Sequence, residues 1–152
     1  MILPSLKRRV QERRVRDLRY KLSQLLSCHE NKKALVVAKK IWLLEGCLGS
    51  ISSGSEENLY AYINDNKSYL FSSLSRAMWL YPRGLDHRGT LLAKSYGLEN
   101  ISFSDNDIIL DCGANYGDLN LYLSSYIKTY QYIGFEPGPL EYKCLVSNWA
   151  HL

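Results

Sequence analysis

Seven positions have the residue types and spacing of a cofactor-binding turn: Asp111, Gly113, Ala114, Asn115, Tyr116, Gly117 and Glu136. Asp111 closes a short apolar run, Asp107-Ile-Ile-Leu-Asp111, and so presents a carboxylate at the end of a candidate strand. Gly113 and Gly117 let the backbone turn tightly and approach a ligand with no Cβ in the way. The amides that open the next helix have no intrahelical partners and point at whatever lies above the turn. Glu136 follows Gly113 by 23 residues, close to the offset of about 20 at which a carboxylate ending a second strand meets ribose hydroxyls. Positioning these groups takes a strand over 107–111, a helix over 118–127 and a second strand over 130–135. Together they form the first βαβ unit of a nucleotide-type site.

The loop also says which nucleotides it disfavours. A dinucleotide turn wants glycines two and five positions after the first, but Asn115 and Asp118 stand there. Asp118 would further place negative charge at the helix start, where a pyrophosphate should sit. No P-loop pattern occurs, which argues against an NTPase. A cofactor with a ribose and no phosphates escapes these objections. S-adenosylmethionine (SAM) is one: its carboxylate can take loop amides, and its ammonium can approach Asp111 directly or through water.

Asp111-Cys-Gly-Ala-Asn-Tyr-Gly117 followed by Phe135-Glu-Pro137 resembles the FkbM family of SAM-dependent methyltransferases, whose members carry a D-x-G-A-N-x-G loop and an E-P after the second strand. Tyr81-Pro-Arg-Gly84, Arg88 and Tyr96-Gly-Leu98 resemble that family's lead-in, and Leu145 and Asn148 its next helix. The resemblance covers residues 80–148. It implies a Rossmann-like α/β domain, SAM as cofactor and O-methylation of a hydroxyl on a sugar or other small-molecule acceptor. Asp111 would meet the methionine ammonium, the Gly113–Gly117 turn would make close backbone contact, and Glu136 would hold the ribose. No catalytic base is named by the sequence, although His87 is conceivable; Arg88 reads as a surface arginine. From Asp111 to Leu152 there are 42 residues, room for only the first two strands of the cofactor half. We therefore expect an incomplete Rossmann-like parallel sheet, the N-terminal part of a longer enzyme, weak or inactive alone. The rival readings are a non-catalytic binding module that keeps the βαβ scaffold and, less well supported, an NAD-dependent enzyme.

Composition sets the outer bounds. A chain of 152 residues with 46% hydrophobic and 22% charged content reads as globular. Net charge is +4, but residues 1–40 hold 12 Lys and Arg against 3 acids, so the basic character is N-terminal. The four cysteines form no C-x-x-C pair and read as structural thiols of a reducing compartment, with no metal site. No signal-peptide pattern appears, and the most apolar stretch, 34–48, is too short and charged to span a bilayer. The expected location is cytoplasmic.

The remaining chain reads as support. Residues 5–27 have Leu6, Val10, Leu18, Leu22 and Leu25 at helical steps amid eight Lys and Arg. Residues 33–47 read as a second helix burying Leu35, Ala38, Trp42 and Leu43, and the pair as a helical hairpin. The basic helix could meet a membrane surface or a protein; no specific nucleic acid is expected, because Tyr20 is the run's lone aromatic residue. Residues 1–50 form this helical segment, 51–58 a linker loop and 59–152 the cofactor-type domain. Within the last, 57–65 reads as a short helix, 64–67 as a turn, 68–72 and 76–81 as strands, 86–96 as a helix closed by Gly97, and 100–103 as a short strand. Two parallel strands leave an apolar face and edges without cover, so self-association is expected.

Overall fold

The computed structural model describes residues 4–54, 56, 58–64 and 67–149. The basic run is helix α1 (Pro4–Ser27), and α2 (Asn31–Leu44) returns beside it. Leu22 is buried in their interface, with Val15, Leu18, Leu25 and Leu26 partly covered. Val10 and Leu43, both expected inside, are exposed, and the side chain of Leu6 lies outside the described residues. From α2, Leu35, Ala38, Ile41 and Trp42 enter the core, as a stripe repeating every three or four residues should.

The segment read as a linker differs. Ser50–Ser53 is strand β1, antiparallel to β2 (Tyr60–Asn64), which pairs in turn with β3 (Lys67–Phe71). Thus β2 stands where a short helix was expected, although Glu57 and Asp65 themselves fall outside the described residues. Asn64 faces Lys67 across the expected turn, whose residues 65 and 66 also lie outside them. The helical segment and the sheet share one apolar cluster, in which Trp42 of α2 meets Tyr62 of β2.

Residues 76–81, expected as a strand, belong to α3 (Leu74–Leu80) and its C-terminal cap. Ser73 caps the helix by accepting from the Arg76 amide, and Leu74, Ala77, Met78 and Tyr81 are buried at helical steps. Tyr81 sits among Tyr62, Tyr69 and Phe71, with ring centroids 5.7–6.3 Å away. Helix α4 (Leu85–Ser95) ends at Tyr96, with Gly97 left-handed just beyond it. Residues 98–100 make a 3-10 turn, and 101–103 are irregular rather than a strand.

The βαβ unit forms as the spacing predicts. Strand β4 (Asp107–Cys112) leads to α5 (Asp118–Tyr126) and then β5 (Tyr130–Phe135), which is parallel to β4 from Asp107↔Tyr130 to Cys112↔Phe135. Helix α6 (Pro139–Trp149) follows and packs on β3. One face of this small sheet supplies Ile109, Tyr130 and Tyr132 to a second apolar cluster with Leu119, Leu123 and Ile127. The opposite face is bare: Ile108 is 62% exposed, Leu110 63% and Phe135 56%. The chain is therefore mixed α/β, with a three-stranded antiparallel and a two-stranded parallel sheet among the described residues. No described helix is long and apolar enough to cross a membrane.

Candidate functional site

The seven candidate residues gather where β4 and β5 end. Phe135 of β5 keeps the turn attached to the sheet: its carbonyl accepts from the amides of Gly113 (2.8 Å) and Ala114 (3.0 Å). The turn then passes through three positive-φ residues, Gly113 (+85°), Asn115 (+52°) and Gly117 (+88°). Asparagine tolerates that region better than other side-chain-bearing residues. A Cβ at Gly113 would meet nothing within 4 Å, so the space above the turn is open. At Gly117 it would come within 3.0 Å of Leu145 Cδ1. The first glycine keeps the outside of the turn clear, while the second lets α6 close on its inside.

Glu136, 21 residues beyond Asn115, reaches the turn directly. Its Oε2 accepts from the Asn115 amide (2.8 Å), and its Oε1 accepts from the Gly138 amide (2.8 Å). Asp111 is half-buried and accepts from the phenol of Tyr132, whose ring stacks on Trp149 at 5.0 Å. Burial, then the Asp111 carboxylate, pushes the Tyr132 phenol well above its ordinary pKa and keeps it a donor. Asn115 Oδ1 is buried without a hydrogen-bond partner among the described residues, and a buried orphan acceptor calls for a donor.

Two features differ from the expected loop. The amides of Gly113, Ala114 and Asn115 are already engaged by Phe135 and Glu136, so a ligand carboxylate would have to compete for them. Tyr116 and Ala114 are buried. Tyr116 donates to or accepts from Ser72 Oγ (3.0 Å), and its carbonyl accepts from Tyr69 (2.8 Å) and Asn148 Nδ2 (2.9 Å). Asn148 also bridges both backbone groups of Leu70, so it clamps the turn and α6 to β3. These side chains shape the turn from beneath.

Asp118 has a role the spacing did not reveal. It is 3% exposed; Oδ1 accepts from Tyr69 (2.9 Å) and Tyr81 (2.7 Å), and Oδ2 pairs with Arg88 Nε at 2.7 Å. Burial and the Asp118 charge together push both phenols well above their ordinary pKa. Arg88 is therefore an internal counter-ion and not a surface residue. Because it neutralises Asp118, charge at the helix start no longer argues against a pyrophosphate; the absent glycines still do. In the sequence Asp118 is only an acid at the helix start, with nothing to point to these three partners. His87 is half-buried on α4, with no hydrogen bond to the turn among the described residues.

No protein-family model, curated protein or solved structure matches the chain.

Proposed function

We propose that the chain carries the cofactor-binding part of a SAM-dependent methyltransferase of FkbM type, a cytoplasmic enzyme with a Rossmann-like sheet begun by β4 and β5. The observation that carries this reading is Glu136 lying against the D-x-G-A-N-x-G turn, 2.8 Å from the Asn115 amide. Two motifs distant in sequence thus meet at one end of a parallel strand pair, the ligand-binding end of open α/β sheets. The open space at Gly113 and the orphan Asn115 Oδ1 fit a polar ligand over the turn. Asp111 would hold the ammonium, residues 113–117 the amino-acid portion, and Glu136 the ribose while keeping its loop contacts. When bound, SAM supplies an activated methyl group for an oxygen acceptor on a sugar or small metabolite. The protein's part is to fix the position of that group. Calorimetric titration with SAM, S-adenosylhomocysteine and NAD tests the assignment. Binding of the two adenosyl ligands without NAD supports it, and binding of NAD alone overturns it.

A second reading has its own observation. The Gly113 and Ala114 amides are taken by the Phe135 carbonyl, the Asn115 amide by Glu136, and the Asp111 carboxylate by Tyr132, as they would be in a non-catalytic module that keeps the unit as scaffold. Folded protein that binds none of the three ligands supports this reading.

A further inference from the structure

We infer that the basic helix and α3 together form a binding surface for single-stranded nucleic acid, independent of the cofactor turn. A groove of about 1100 Å³ runs along α1, walled on its far side by residues 44–47 and 82–83. Lys7, Arg8, Arg16 and Arg19 line one wall and Arg83 the other. The groove's two carboxylates are already matched: Glu12 pairs with Arg8 at 2.9 Å, and Glu45 takes both oxygens to Arg19 at 2.9 Å. Lys7, Arg16 and Arg83 have no ion pair among the described residues, so the groove keeps a net positive charge. Arginine predominates, which suits phosphate better than a diffuse negative surface.

The fold also supplies the aromatic residue that the basic run lacks. Trp79 of α3 is 76% exposed, and the Arg19 guanidinium stands 5.5 Å from its ring centroid. Glu45 holds Arg19 in that position, so one side of the indole is backed by a fixed cation. Arg19 thus joins the groove to Trp79, and a cationic groove that tracks a phosphodiester backbone beside an exposed aromatic ring that can stack a base is how single strands are held without sequence preference. Insertion into a membrane does not suit α1, because its apolar residues from Val15 to Leu26 are spent on α2 and the core.

Fluorescence anisotropy with a labelled oligouridylate of about 12 nucleotides tests this, a length within the span such grooves accommodate. Affinity is expected to fall steeply between about 50 and 200 mM salt. Trp79→Ala should weaken binding about tenfold through lost stacking. Arg16→Ala with Arg83→Ala should lower the salt slope by about 1.4, at roughly 0.7 per single-strand phosphate. All three positions are exposed, so unchanged far-UV circular dichroism is expected in each variant. No oligonucleotide binding at 50 mM salt, indifference to Trp79→Ala, equal affinity for duplex, or preference for phosphatidylserine vesicles would each overturn the proposal.

Discussion

Replacing Asp118 by Asn should be among the most damaging conservative changes in the molecule. The carboxylate is 3% exposed and accepts three short hydrogen bonds, one from a guanidinium whose side chain is 19% exposed. Asparagine keeps one acceptor oxygen for Tyr69 and Tyr81 but turns an N–H toward Arg88, donor against donor. Removing one member of a buried ion pair costs about 3–5 kcal/mol. Because Arg88 retains some solvent contact, the lower end, about 3 kcal/mol, applies. That is a large share of the roughly 5–15 kcal/mol of a natural domain. With a urea m-value of about 2 kcal/mol/M, the midpoint should drop by about 1.5 M. Tyr81→Phe removes one of three donors and leaves the charge paired, so about 1.5 kcal/mol is expected. Urea melts of Asp118→Asn, Arg88→Ala and the double variant form a cycle. The two losses should fall short of additivity by at least about 1 kcal/mol. A midpoint within about 0.3 M of wild type for Asp118→Asn, or strict additivity, would refute the hub.

Alkali should unfold the protein through the same cluster. Tyr69 and Tyr81 have phenol pKa values raised by burial and by Asp118, so above about pH 10 the unfolded chain releases protons that the fold retains. Their stabilisation is intact below that pH and is lost above it, at up to about 2.7 kcal/mol per pH unit for the pair; stability measured from pH 9 to 11 checks the slope. Gly89→Ala should destabilise the fold despite a helix-propensity gain of about 1 kcal/mol, because its Cβ would lie 2.9 Å from the Tyr122 amide nitrogen. A raised melting temperature would contradict that packing. The bare face of β4 and β5 should drive concentration-dependent self-association, which sedimentation would detect and Leu110→Lys with Phe135→Lys should suppress.

How much of this was legible depended on how local the cause was. The βαβ unit could be read because its apolar runs, glycines and terminal acids follow one another within thirty residues. Helix α1 showed itself through Leu18, Leu22 and Leu25. Strand β1 did not, because Ser50–Ser53 contains one large apolar residue, Ile51, and is a strand only by pairing with β2. Residues 76–81 mislead because a short aromatic run suits either period; the Ser73 cap and buried Leu74 settle it as helix. The Asp118 hub was invisible for a different reason. A buried charge needs partners, but nothing in the spacing says that they stand 30, 37 and 49 residues away. The site's two motifs were plain, whereas the mutual engagement of Glu136 and the Asn115 amide appears only in three dimensions.

As proposed, this turn and Glu136 form a working cofactor site. Titrating S-adenosylhomocysteine into folded wild type, Asp111→Ala, Glu136→Ala and Glu136→Gln by calorimetry tests it most directly. Binding is expected in wild type, with its loss in both alanine variants and partial recovery in Glu136→Gln, which keeps one acceptor for the turn. Heat of binding that is absent from folded wild type, or indifferent to Asp111 and Glu136, would contradict it.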